Sequence, residues 1–248
     1  KIHESTVCLC ISSSWLLMID PLKAERSCFV ANVRTRSERL KQAVRHLRKV
    51  DPVMRQVIGH VGPCTLKGER DRFWMLVRSI ISQQISTAAA RTVRDRVIAL
   101  VESDSGSKRV TPACLLGLGV EPLRSAGCSQ RKAEYMLDLA DKVESGEILL
   151  STIGRFSDEE IIGSLIRVRG IGRWTAEMFL MFSLGRLDVF PVDDLGVRNG
   201  ILKLYCLEKS TSHAEFRAIA EPWNPYASIG SWYCWRSLET DIPSTSMS

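Results

Sequence analysis

Histidine is scarce in this chain of 248 residues, and its cysteines are scattered. The four histidines, His3, His46, His60 and His213, stand isolated, which argues against a histidine-based relay or a metal-centred mechanism. The eight cysteines (Cys8, Cys10, Cys28, Cys64, Cys114, Cys128, Cys206 and Cys234) form no CxxC pair and no Cys/His cluster. Zinc and iron–sulfur sites need closely spaced ligands, so no metal and no cofactor is expected. Spread through a chain of this length, the thiols read as reduced and mostly buried, as in an intracellular protein. Nor does any stretch approach the roughly eighteen apolar residues of a membrane span. Residues 7–19, VCLCISSSWLLMI, are moderately apolar, but three serines break them, and they lack a basic leader and a small-residue cleavage site. The first residue is Lys, and no function is assigned to the first thirty. Alternating strand patterns and simple repeats are missing too.

What is present is helical. Apolar residues make up 45% and charged residues 25%, the balance of an ordinary globular protein with a substantial core. Lys plus Arg outnumber Asp plus Glu by 34 to 28, a net charge of +6, which suits a nucleic-acid partner without requiring one. Leu40, Val44 and Leu47 share one stripe, with Ser37 as the expected cap. Asp51-Pro52 restarts a helix. Phe73, Leu76, Val77, Ile80 and Ile81 mark a core helix, and Ser86 can cap the next. Residues 103–109, SDSGSKR, are expected to be a loop around Gly106. Gly146 should end a long amphipathic helix, and Ser157 with Glu160 has a capping-box pattern. Final helices are expected at about 194–208, 212–221 and 225–238. The forecast is an all-α fold of about ten helices, with a main domain over 37–238, an N-terminal segment 1–36 of uncertain structure and a disordered tail 239–248.

Chemistry concentrates in residues 168–198, VRGIGRWTAEMFLMFSLGRLDVFPVDDLGVR. IRVRGIGRWTAEMF reads as helix, tight turn, helix, with Gly170 and Gly172 permitting positive φ and close backbone approach. The free N–H groups opening the second helix, with its dipole, can hold a phosphate oxygen. Arg167, Arg169 and Arg173 would add positive charge around it. A plain helix corner can use the same glycines. About twenty residues on, Asp193-Asp194 opens another helix, where an aspartate can serve as cap, as catalytic carboxylate, or as both. A carboxylate at a helix start is stabilised by the dipole and suits a developing cation or an attacking water.

These residues resemble the helix-hairpin-helix DNA glycosylases with a Gly/Pro-rich loop and an essential Asp. The similarity is greatest to the 3-methyladenine DNA glycosylase II, or alkylbase, branch. WMLVRSIISQQIS (74–86), CSQRKAEYMLDLA (128–140) and EPWNPYASIGSWYCWR (221–236) resemble further stretches of that branch in the same order. The resemblance implies two helical subdomains flanking a cleft. It also implies a monofunctional enzyme of base excision repair that flips an alkylated purine out of duplex DNA and hydrolyses its N-glycosidic bond. Asp194 is the implied catalytic acid, with Asp193 as runner-up. Trp174, Met178 and Trp232 are candidate pocket walls that could select a cationic purine by cation–π stacking, though each could equally be core packing. Gly170, Gly172, Arg173, Thr175, Gln83 and Gln84 are the candidate DNA contacts.

Strand-nicking relatives form a Schiff base through a hairpin lysine, and Trp174 stands at the matching position. The given residues hold no C-terminal cysteine cluster like that of the iron–sulfur branch, and with no strand-rich segment among those before residue 38 the expected form is the shorter, all-helical one. Asn224 and Ala227 stand where more basic residues are expected. The expected setting is a monomer acting on double-stranded DNA away from any membrane, in the nucleus of a eukaryote or the cytoplasm of a bacterium. Two alternatives stay open: a non-catalytic hairpin module that binds DNA structures, and a glycosylase of the same fold for oxidised or mismatched bases.

Overall fold

The computed structural model of the chain describes residues 35–240. Among them are twelve α-helices and no strand. They are α1 (Arg36–Val50), α2 (Pro52–Val61), α3 (Arg72–Ser82), α4 (Thr87–Ser105), α5 (Pro112–Leu118), α6 (Val120–Ser125), α7 (Gln130–Glu144), α8 (Asp158–Leu165), α9 (Arg173–Phe179), α10 (Leu195–Leu204), α11 (His213–Ala220) and α12 (Ala227–Glu239). Residues 1–34 and 241–248, the bulk of the expected N-terminal segment and tail, lie outside the described residues.

Two hydrophobic cores divide these helices. One gathers Leu76, Val77, Ile80 and Ile81 of α3 with Val97 of α4, Leu115 of α5, Met136 of α7, Leu165 of α8 and Phe179 of α9. The other joins Leu47 of α1 and Met54 of α2 to Ile201 of α10, Phe216 of α11 and Tyr233 of α12. The middle of the chain thus builds one lobe, and its two flanks share the other. Phe182 and Trp235 pack against both cores, and their rings stack with centroids 5.7 Å apart.

Polar residues fix where most helices start. Side chains of Asp51, Asp71, Ser86, Thr111, Ser129, Ser157, Asp194 and Ser212 each accept a backbone N–H of the first turn. Each such cap contributes about 1 kcal/mol. Asp51 carries more than its cap. Its Oδ1 accepts from Met54 N at 3.0 Å, while Oδ2 accepts from Trp223 Nε1 at 2.8 Å and from the Tyr205 hydroxyl. Burial, with the Asp51 charge beside it, pushes the Tyr205 phenol well above its usual range.

Several boundaries differ from the sequence forecast. Thr35, not Ser37, caps α1: its Oγ1 accepts from Glu38 N at 3.3 Å, and Glu38 Oε2 accepts from Thr35 N at 2.7 Å. Helix α4 runs past 103, because Ser105 Oγ bonds back to Val101 O at 2.7 Å and only Gly106, at φ 70°, turns the chain. Helix α10 stops at Leu204, where Tyr205 turns to Asp51 and Cys206 takes φ 53°. Helix α9 continues into a π-helical turn, Leu180–Leu184, whose Phe182 carbonyl accepts from Glu69 N at 2.6 Å.

The expected hairpin is α8, a turn over 166–172, and α9. Its two glycines do different work. Gly170 sits at φ 80°, and a Cβ there would lie 2.0 Å from the Tyr135 ring of α7. Gly172, at φ −96°, is ordinary extended backbone with nothing near its missing Cβ, so the expectation of positive φ fails there. Gly170→Ala should therefore cost about 3 kcal/mol from backbone strain plus overpacking, a fall in Tm of about 10 °C. Gly172→Ala should cost less than about 1 kcal/mol. Thermal denaturation of the two variants checks this contrast.

Candidate active site facing DNA

Asp194 caps α10, and three hydrogen bonds fix its carboxylate. It is 8% exposed. Its Oδ1 accepts from Val197 N and from Trp235 Nε1, both at 2.7 Å, and its Oδ2 accepts from Trp174 Nε1 at 2.9 Å. Three donors from three elements, α9, α10 and α12, thus meet on one carboxylate. Gly196 makes room for this, since a Cβ there would lie 2.8 Å from Trp235 Cδ1 and 3.1 Å from Asp194 Oδ1. Asp193 points elsewhere: its carboxylate is half-exposed and faces His213 Nδ1 at 3.7 Å.

Trp174 is 41% exposed and lines a cleft of about 480 Å³ with Met75, Arg78, Ser79, Ser82, Gln83, Gln84 and Arg94. The structure therefore brings Gln83, Gln84 and Trp174 to one cleft, with Asp194 hydrogen-bonded to its tryptophan wall. Gln83 Nε2 also donates to Gly170 O at 2.8 Å, tying the α3–α4 turn to the hairpin. Gln84, exposed at the tip of that turn, holds φ 56°, a conformation that a side chain of this kind rarely adopts. Lys132 of α7 supports the turn from behind, its Nζ donating to Ile81 O at 2.8 Å.

The other candidates lie elsewhere. Met178 and Thr175 are 7% and 3% exposed, so both are turned into the protein and neither lines the cleft. Trp232, 8% exposed, belongs to the second core and packs edge-on against Tyr233 at 4.9 Å. The tryptophan that reaches the carboxylate is Trp235, one turn further along α12. The sequence reading missed it because helical spacing alone does not say which face of α12 turns towards α10. Ala227, expected to be basic, is buried at the start of α12, where a charged side chain would have no water.

Hairpin electrostatics also differ from expectation. Arg173 does not stand free: its guanidinium pairs with Glu159 and, through Nε at 3.2 Å, with Glu177. Arg169 pairs with Asp138 at 3.3 Å, and Arg167 with Glu147 at 3.4 Å. Glu177 itself is 6% exposed, and its Oε2 has no hydrogen-bond partner among the described residues. Burial raises its carboxyl above the usual range, and the Arg173 charge only partly opposes this. No group of three or more His, Cys, Asp or Glu side chains that could hold a metal ion occurs among the described residues. None of the described helices is long and apolar enough to cross a membrane.

Known proteins share this fold. Residues 77–225 match the HhH-GPD superfamily of base excision DNA repair proteins. The alkylbase DNA glycosidase-like protein mag2 of Schizosaccharomyces pombe is 31% identical over 199 residues, 79% of this chain and 92% of that one. A DNA-3-methyladenine glycosidase from Bacillus halodurans superposes with a TM-score of 0.71 at 35% identity, covering 79% of this chain and 88% of its own. The 3-methyladenine DNA glycosylase Mag1 of S. pombe, solved in complex with abasic DNA, gives 0.72 at 31% identity, covering 82% and 100%. On the match of 77–225 and the near full-length relatives, the chain belongs to the HhH-GPD superfamily of base excision DNA repair proteins, in its 3-methyladenine DNA glycosylase branch.

Proposed function

We propose that this protein is a monofunctional DNA glycosylase that takes an alkylated purine out of the duplex and hydrolyses its N-glycosidic bond. The observation that carries the reading is the Asp194 carboxylate, fixed at a helix start with an indole N–H on each oxygen, one of them from the cleft wall. Flipping a damaged nucleotide would bring its sugar to that wall. As the bond from C1′ to the base nitrogen breaks, the electron pair leaves with the base and positive charge grows on the sugar. A carboxylate already oriented there stabilises this charge without reorganisation. Water then adds to C1′ and gives up a proton, leaving an abasic site.

An N3- or N7-alkylated purine leaves as a neutral base, so this chemistry needs little acid assistance. Trp174 supplies an aromatic face at the cleft and has no amine to form a Schiff base, and no lysine lines the cleft. Both points support a reaction that ends at base release. Gln83 and Gln84, on the turn bonded to Gly170, are our candidates for contact with the gap in the duplex. We read the partner as double-stranded DNA met by a monomer inside the cell, in the nucleus or in bacterial cytoplasm according to the organism.

Asp194→Asn should retain duplex binding within a few-fold and lose release of methylated bases by about 10²–10⁴-fold, the range for removing a positioned catalytic group. Mass spectrometry of bases freed from methylated DNA checks this. Release equal to wild type would contradict the role of Asp194, and binding with no release by wild type would favour the non-catalytic alternative. Trp235→Phe keeps a ring against Phe182 but removes the donor to Oδ1. Losing a hydrogen bond to a charged group, about 1.5–3 kcal/mol, should slow single-turnover release by about ten- to a hundredfold.

A further inference from the structure

Charge is distributed unevenly around the cleft. The three arginines of the hairpin are each paired with a carboxylate of a neighbouring element. Of the two arginines that line the cleft, Arg78 is compensated by Glu69 at 3.1 Å. Arg94 of α4 is not: it is half-buried on the cleft wall, with no hydrogen bond or ion pair among the described residues. No carboxylate lines the cleft. A half-buried guanidinium that no carboxylate pairs gives up part of its hydration without an ion pair from its own chain in return. Its planar fork matches the oxygens of a phosphodiester, which can accept two parallel N–H bonds.

The position narrows the anion further. Trp174 lines the same cleft, and its indole holds Oδ2 of Asp194. A nucleotide whose sugar reaches Asp194 must carry its own flanking phosphates to the mouth of that cleft. We infer that Arg94 binds a phosphodiester of the lesion strand next to the flipped nucleotide, and that it, rather than the paired arginines of the hairpin, is the positioning cation of the reaction. The inference rests on the glycosylase reading above. It assigns Arg94 no contact with the base, so loss of its charge should weaken binding alike for duplexes of different sequence.

The test is binding of a duplex carrying a stable abasic-site analogue, followed by fluorescence anisotropy across a series of salt concentrations. Arg94→Gln should weaken binding about tenfold near physiological salt and reduce the slope of log K against log salt by about 0.9, one phosphate contact. Arg94→Lys should restore most of the slope but less of the affinity, since an ammonium keeps the charge and loses the fork. A neutral methylphosphonate at the phosphates flanking the analogue should weaken wild type by a similar factor and add nothing to Arg94→Gln. A wild-type slope for Arg94→Gln overturns the inference and leaves the functional reading standing. So does a methylphosphonate penalty that adds fully to the variant's, or one that appears only on the opposite strand. A wild-type protein that does not bind the duplex overturns both.

Discussion

The grip of two indoles and one backbone amide on Asp194 is the constraint around which the rest of this molecule is arranged. Each donor comes from a different place. Val197 N–H is a free group of the first turn of α10, present wherever a helix begins. Trp174 comes from the hairpin helix in the first lobe's half of the chain, and Trp235 comes from the last helix. For all three to meet, the hairpin helix in the middle of the chain must pack against α10 and α12. The stacked pair Phe182 and Trp235, in contact with both cores, is where that happens. The π-helical turn that carries Phe182 is held by Glu69, which also compensates Arg78 in the cleft. The loop before α3 thereby supports both the seam and the cleft charge.

Much of the scaffold could be read directly from the residues, because local signals there agree with tertiary packing. Asp51-Pro52, Ser86, Ser129 and the Ser157–Glu160 box sit at helix starts in the structure, and the apolar stripe of α3 is buried as its spacing requires. Errors cluster where a distant partner overrides the local signal. Tyr205 leaves α10 for Asp51, and the π turn after α9, for which nothing was forecast, accepts from Glu69 N. Neither partner is visible in a window of a dozen residues.

The candidate site was partly legible for the same reason. Asp194 and Trp174 lie in one continuous stretch and could be singled out together with the resemblance. Trp235 could not be told from Trp232, because which side of α12 faces α10 is decided by close approach at Gly200, where a Cβ would lie 2.5 Å from Cys234 O. The hairpin arginines looked like a cationic surface from their spacing, but their carboxylate partners come from α7, α8 and the segment after α7. Charge in sequence therefore did not translate into free charge in space, and of the two arginines lining the cleft the one without an ion pair among the described residues sits on α4.

Asp194 is held by Trp174 and Trp235 at once. Indole N–H resonances in a ¹H–¹⁵N spectrum of the free protein, compared between wild type and Asp194→Ala, test it most directly. The Trp174 and Trp235 signals should move upfield as they lose their acceptor, while that of Trp223, bonded to Asp51, should stay in place. Unmoved signals for Trp174 and Trp235 would contradict it.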